Sequence, residues 1–352
     1  MSTNENFLKD KKWQYCPGCG NKLPPIQNLK FCMKCGLDIE YIRTHGTISP
    51  QQSKKISHTY QPIRYGIEKL SIEELLNQKD KQIWNIRASI GIPVLAFVIM
   101  SFIGSGILMI IALTNFNLNY LEDLATNIYF VVLSSLLELI FILFPAIYVG
   151  KYLKKPTLTN RLRLLGFTSK GYDKIGILKE VLLGLGFAAV GFFLVFGVTV
   201  IMDLIFFNSE MMPADEVDMM IANTDAFGLF LIVLVMLLVV GTSEEVLFRG
   251  FMQKGLVRSE LGEKWGIFIT ALIFALIHLL IYIIAFIFGE ISLSTFIASF
   301  IYAFFPYMAI SLLLGLLFRW RNENLIAVMI THGVYDAILL ILVFLIYNVG
   351  LI

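Results

Sequence analysis

The chain has 352 residues, of which 57% are hydrophobic and 15% charged, with a net charge of +2. Soluble domains run nearer half apolar and a quarter charged, and here the apolar excess comes in blocks: Leu293 to Phe318 holds 26 residues without a charge and Ala88 to Thr114 holds 27. Such blocks cross a hydrocarbon core of ~30 Å as helices, so a soluble enzyme is excluded, and the near-neutral total gives no reason to expect nucleic acid.

The amino-terminal residues Met1 to Lys12 are polar, without the apolar core of a cleavable signal peptide. All four cysteines follow at once, as Cys16-Pro-Gly-Cys19 and Cys32-Met-Lys-Cys35. Two such pairs can supply four thiolates to one tetrahedral zinc, and Gly20 and Gly36 after the second cysteine of each pair permit tight turns. The competing reading, a pair of redox dithiols, lacks a thioredoxin-like βαβ pattern nearby. The pattern resembles zinc ribbons, which implies a small β module over residues 1–40. Its zinc, on Cys16, Cys19, Cys32 and Cys35, is structural, because four thiolates leave no open position. Residues 41–87 read as a polar linker ending in a short helix, with Ser71 and Glu74 spaced as a capping box.

From residue 88 to 352 the chain reads as an all-α polytopic membrane domain. Spans are expected at roughly 88–114, 128–149, 181–207, 227–255, 267–288, 293–318 and 325–347, with a short eighth helix to be accommodated around 156–175. The uncharged part of the fourth, Phe227 to Val240, is too short to cross alone and must continue through Glu244, Glu245 and Arg249. Charges at membrane depth are costly, which makes these a functional-site hypothesis. The loops at 115–126, 208–225 and 289–292 contain no Lys or Arg, whereas the loop between spans two and three carries eight, from Lys151 to Lys179. That alternation predicts seven crossings with the amino terminus in the cytosol, and the cell membrane as location if the host is prokaryotic.

Three spans carry ionisable groups at matched depth. Glu245 and Arg249 are four residues apart, in the favourable order for an ion pair on one helix face, which leaves Glu244 pointing elsewhere. His278 is one turn beyond Phe274, and His332 is one turn before Asp336. At 1.5 Å per residue, Glu244 lies ~21 Å from Arg258 and His278 ~20 Å from Trp265, while His332 and Asp336 lie ~12 and ~18 Å from Asn324. One carboxylate, two imidazoles and a second carboxylate thus come to similar levels, nearer the cytosolic side.

A carboxylate beside an imidazole can hold and deprotonate a water, and a second imidazole with a hydrogen-bonding neighbour can stabilise an oxyanion. Alternatively, the two histidines and a carboxylate could bind a divalent metal that activates the water. No His-Glu-x-x-His helix and no Gly-x-Ser-x-Gly elbow occurs. Glu138 and Asp203, without matching partners in the pattern, are read as helix packing or positions near the interface.

These residues resemble the CPBP family of CAAX proteases and bacteriocin-processing membrane proteins. That family carries Glu-Glu-x-x-x-Arg, Phe-x-x-x-His and His-x-x-x-Asn/Asp on successive helices, read here as Glu244-Glu245-Val-Leu-Phe-Arg249, Phe274-Ala-Leu-Ile-His278 and His332-Gly-Val-Tyr-Asp336. The resemblance covers roughly residues 88–348 and implies an intramembrane endopeptidase, CAAX-prenyl-protease-like, acting on a membrane-anchored protein or peptide at the cytosolic leaflet. It implies that Glu244 activates water, that His278 positions it, and that His332 and Asp336 contact the oxyanion or ligate a metal. Glu245 and Arg249, with Phe274, support the motif. Asp336 in place of Asn leans towards a metal, a carboxylate being the better cation ligand. The alternative function is a non-catalytic scaffold or bacteriocin-immunity-type protein, with its polar cluster tying helices together and its ribbon recruiting a cytosolic partner.

Overall fold

The computed structural model describes residues 16, 29–32, 36–45, 75–76, 83–115, 124, 127–206, 220–221 and 224–349. The chain divides into two compact units, Met1–Tyr65 and Gly66–Ile352.

In the first unit a tight turn brings Phe31 and Asp38 into an antiparallel bridge. The Cys32 amide donates to the Leu37 carbonyl and the Gly36 amide to the Cys32 carbonyl, both at 2.8 Å. Gly36 sits at φ 70°, which glycine adopts without steric cost. Asp38 then accepts from the Tyr41 amide at 2.8 Å and starts helix α1, Ile39–His45. Cys16 and Cys32 are both buried, packed with Leu29, Leu37, Ile39 and Ile42. Cys19 and Cys35 lie outside the described residues, as do Gly20, Ser71 and Glu74. Among the described residues this unit shows a bridged turn and no strand, so the β ribbon expected from the cysteine spacing is seen only as that turn.

The second unit is helical among its described residues. The order is α2 (Ile86–Asn115), α3 (Ile128–Tyr152), α4 (Leu158–Leu164), α5 (Lys174–Ile205), α6 (Ala226–Val257), α7 (Gly262–His278), α8 (Leu280–Ile287), α9 (Leu293–Trp320) and α10 (Ile326–Val349). Six of these, α2, α3, α5, α6, α9 and α10, are long and apolar enough to cross a membrane. The span expected at 267–288 is instead the pair α7 and α8, bent by 42° at Leu279, which brings the number to seven if the pair makes one crossing. The extra helix expected around 156–175 is α4, a seven-residue element too short to span.

Several boundaries follow from polar caps, since the first N–H groups of a helix need acceptors. Asn127 caps α3, Thr157 α4, Asp173 α5, Asp225 α6 and Ser292 α9. Pro93, Pro145 and Pro306 lie inside α2, α3 and α9, which is tolerated in membrane helices. Ile83 and Trp84, placed by the sequence at the end of the linker, are buried, and Trp84 stacks on Phe251 at 4.7 Å.

The turn from α9 to α10 is fixed by charge. Glu323, at φ 63°, accepts from Arg258 at 2.6 Å and from Arg319, with the Lys254 ammonium 3.5 Å away. Burial alone pushes the Glu323 carboxyl up, but Lys254, Arg258 and Arg319 outweigh it and hold it below the ordinary 4.5. Beside it, Arg321 pairs with the buried Glu180 of α5.

α6 and α10 approach closely at two glycines. A Cβ on Gly241 would lie 2.7 Å from the Gly333 amide nitrogen, and one on Gly333 would lie 2.9 Å from the Leu237 Cα. Gly184 of α5 plays the same part on another face of α10, where a Cβ would lie 2.8 Å from the Ala327 carbonyl. Small residues at such crossings let backbones meet in a membrane, where no hydrophobic drive separates helix from lipid. On α2 and α5, large apolar side chains such as Phe102 (78% exposed) and Leu204 (76%) point outward, as lipid-facing surfaces require.

Candidate active site

The site is built where α6 departs from regular helix. Gly241–Glu245 forms one α-helical turn between two π-helical stretches, Met236–Val240 and Val246–Gln253. Widened turns of this kind recur at functional sites because they re-aim side chains. Here they present Glu244 and Glu245 in different directions from adjacent positions.

Glu245 faces the interior of the bundle. Its Oε1 accepts from Arg249 Nη1 and from His332 Nδ1, each at 2.7 Å. Arg249, fully buried, also donates to the Ser311 hydroxyl at 2.8 Å and lies over the Phe274 ring at 4.7 Å. The ion pair expected from four-residue spacing is present. Sequence reasoning missed that its carboxylate also orients a histidine 87 positions away, because no spacing rule reaches between distant helices.

Both imidazoles are held by the same device. His278 Nδ1 donates to the Phe274 carbonyl at 2.9 Å, and His332 Nδ1 to Glu245. Carbonyl and carboxylate oxygens only accept, so the N–H is on Nδ1 in each neutral ring and each Nε2 presents a lone pair. The two Nε2 atoms turn to one carboxylate: His278 Nε2 is 3.8 Å from Glu244 Oε1, and His332 Nε2 is 3.7 Å from Glu244 Oε2. Asp336 Oδ2 lies 3.4 Å from His332 Nε2. The His278 ring is sandwiched between Phe274 (centroids 4.3 Å apart) and Tyr307 (4.7 Å).

Among the described residues Glu244 Oε2 and Glu245 Oε2 are both buried without a hydrogen-bond partner, but only Glu244 stands between the two Nε2 atoms. His278 and Asp336 keep 26% and 24% of their side-chain surface exposed, against 11% for Glu244. The structure thus brings together Glu244, His278, His332 and Asp336, with Glu245, Arg249 and Phe274 directly behind them.

Paired Nδ1 donors with outward Nε2 lone pairs are how metal-binding histidines are oriented. Among the described residues, however, no group of three or more His, Cys, Asp or Glu side chains is placed to hold a metal ion. The donor chemistry suits a divalent ion, and the facing donors stand 3.4 to 3.8 Å apart.

Two residues set aside in the sequence have partners. Asp203 accepts from the Tyr302 hydroxyl at 2.8 Å between α5 and α9, a helix-packing contact as expected. Glu138 of α3 likewise joins two helices, accepting from the hydroxyl of Ser243 on α6, the residue before Glu244, at 3.1 Å.

Residues 226–338 match the family model described as type II CAAX prenyl endopeptidase Rce1-like. The match supports the CAAX-protease family. At the level of that family it supports an intramembrane endopeptidase, and it runs from α6 into α10 over every motif residue from Glu244 to Asp336. Neither a curated protein nor a solved structure gives a match to the chain.

Proposed function

We propose that this protein is an intramembrane endopeptidase that hydrolyses a peptide bond in a membrane-anchored protein or peptide, of the CAAX-prenyl type, at the cytosolic face of the bilayer. The observation that carries this reading is the convergence of two imidazole Nε2 atoms on the Glu244 carboxylate, each imidazole fixed by an Nδ1 hydrogen bond.

The chemistry is hydrolysis with one water. Glu244 takes a proton as the water oxygen attacks the scissile carbonyl, and His278 Nε2 holds that water in line. The negative charge that develops on the carbonyl oxygen is met at the His332 and Asp336 side of the site, where an imidazolium or a protonated carboxyl donates. The carbon–nitrogen bond then breaks, and the proton held by Glu244 passes to the leaving amine. Glu245 holds the His332 ring in one orientation through Nδ1, and Arg249 balances the charge of Glu245. A divalent ion would take Glu244, the two Nε2 atoms and Asp336 as its donors and would supply an acidified water; none of the steps above depends on one.

The alternative, a scaffold whose polar groups only tie helices together, accounts less well for Glu244. A tying residue contacts its partners directly, as Glu245 does at 2.7 Å, whereas the Glu244 oxygens stand 3.8 and 3.7 Å from the two Nε2 atoms, beyond hydrogen-bond reach. In purified protein reconstituted with a prenylated, fluorescently tagged tail peptide, Glu244→Ala and His278→Ala each lower kcat by about 100- to 10,000-fold, the usual range for a lost acid–base group. Cleavage by both variants at the wild-type rate would end this assignment.

In the first unit we place one structural zinc on Cys16, Cys19, Cys32 and Cys35, supported by their spacing and by the shared apolar setting of Cys16 and Cys32. The amino terminus then lies on the same side as the basic loops, where this unit is available to a cytosolic partner.

A further inference from the structure

Glu138 lies outside the matched residues 226–338, on a helix the motif does not include. A carboxyl at membrane depth is costly without a partner, and among the described residues no Lys or Arg pairs with it. Its partner is Ser243, a fully buried hydroxyl one peptide bond from Glu244. The Ser243 bond turns the Glu138 carboxyl, itself half-buried, towards α6 and the turn that carries Glu244.

Both helices change form where these side chains meet. On α3, Glu138 sits in a four-residue 3₁₀ stretch, Leu136–Leu139, between two α-helical segments. On α6, Ser243 sits in the single α-turn between two π-helical stretches. Mid-helix departures of this sort mark strain or function. A turn flanked by two widened stretches has weakened helical hydrogen bonding on either side, so its orientation depends on what it touches. Within the turn, the Ser243 hydroxyl has one proton and two acceptors at 3.1 Å, the Val240 carbonyl one turn back and Glu138 Oε2. Only the second ties α6 to another helix.

We infer that Glu138 is a positioning residue of the active site, which fixes the Ser243–Glu244 turn from α3 through the Ser243 hydroxyl and so sets where the Glu244 carboxylate stands. The inference rests on the peptidase reading for its kinetic effect but not for its structural one. The site is accordingly larger than the three motifs: α3 contributes to it alongside α6, α7 and α10.

The test uses the full-length protein and the variants Glu138→Ala, Ser243→Ala, their double variant and Glu138→Gln. With the prenylated reporter, either alanine variant lowers kcat about ten- to hundredfold at little change in KM, the size expected of a misplaced catalytic group. The double variant is no slower than the worse single one, since both remove the same tie. Glu138→Gln, which keeps an accepting oxygen, recovers most of the loss. Additive losses, a loss confined to KM, or a Gln variant as slow as the Ala variant would each overturn the inference while leaving the peptidase reading intact. Should the wild type prove inactive on the reporter, amide hydrogen exchange over residues 241–246 still decides: faster exchange in Glu138→Ala, restored in Glu138→Gln, supports the tie, and unchanged exchange refutes it.

Discussion

Glu244 and Glu245 are adjacent in the chain and do opposite work. Glu245 Oε1 is locked between Arg249 and His332, both at 2.7 Å, whereas the Glu244 oxygens stand 3.8 and 3.7 Å from their nearest imidazole nitrogens, beyond hydrogen-bond reach. Their substitutions should therefore separate. Glu245→Gln strands the buried Arg249 charge and costs about 3–5 kcal/mol of stability, the range for breaking one partner of a buried pair. A thermal unfolding midpoint in detergent that drops sharply for Glu245→Gln, but little for Glu244→Ala, is the expected outcome; equal drops would contradict the division of roles. The sequence made this pair legible because four-residue spacing is a local rule. It gave no sight of the His332 and Ser243 contacts, which join residues 87 and 105 positions apart and depend on which helix faces touch.

At the scale of elements, the site depends on how closely α6 and α10 approach. Gly333→Ala would push its Cβ to 2.9 Å from the Leu237 Cα and the Met236 carbonyl, a backbone contact that cannot be relieved by a rotamer. Overpacking of this kind costs about 1–3 kcal/mol, and separating the helices that carry Glu244 and His332 lowers kcat more than it lowers stability. Measuring both on the variant checks this; wild-type kcat would show that the crossing does not set the geometry. A second element-scale prediction concerns the turn between α9 and α10. The Glu323 carboxyl is held below 4.5 by its three cations, so its contribution is fully present above the unfolded-state pKa and is lost as the pH falls through the lower folded value. The stability gap between wild type and Glu323→Gln, read as unfolding midpoints in detergent, should hold at pH 7 and close on acidification below about pH 4.5. The hydropathy pattern located the spans to within a few residues, with Lys174–Ile205 starting earlier than expected. The bend at Leu279 was not legible, since neither glycine nor proline stands at the break, and the π-helical stretches of α6 carry no residue-type signal.

For the whole molecule, six or seven apolar helices place the chain across a membrane, and loops without Lys or Arg alternate with basic ones. The charge pattern, not the bundle, carries the expected orientation. The amino-terminal residues Met1–Tyr65 form a compact unit of their own. Metal analysis of full-length protein should give one zinc per chain, lost in Cys32→Ser but kept in His278→Ala, with reporter cleavage by the Cys32→Ser protein close to wild type. Zinc retained in Cys32→Ser would contradict the cysteine assignment. The cysteine spacing reads as a metal site in the sequence because tetrahedral ligation would impose such spacing locally. Glu138 was not legible, because nothing in its flanking residues distinguishes a lipid-edge carboxylate from one turned into a site.

The central claim is that Glu244 and His278 act on a water that cleaves a membrane-anchored chain. It is tested most directly by reconstituting the purified protein in vesicles with a prenylated tail peptide and identifying the released fragment by mass. The account predicts endoproteolytic release by the wild type and none by Glu244→Ala or His278→Ala, with all three proteins unfolding at similar temperatures. Release at equal rates by all three, or loss of activity that follows only loss of fold, would contradict it.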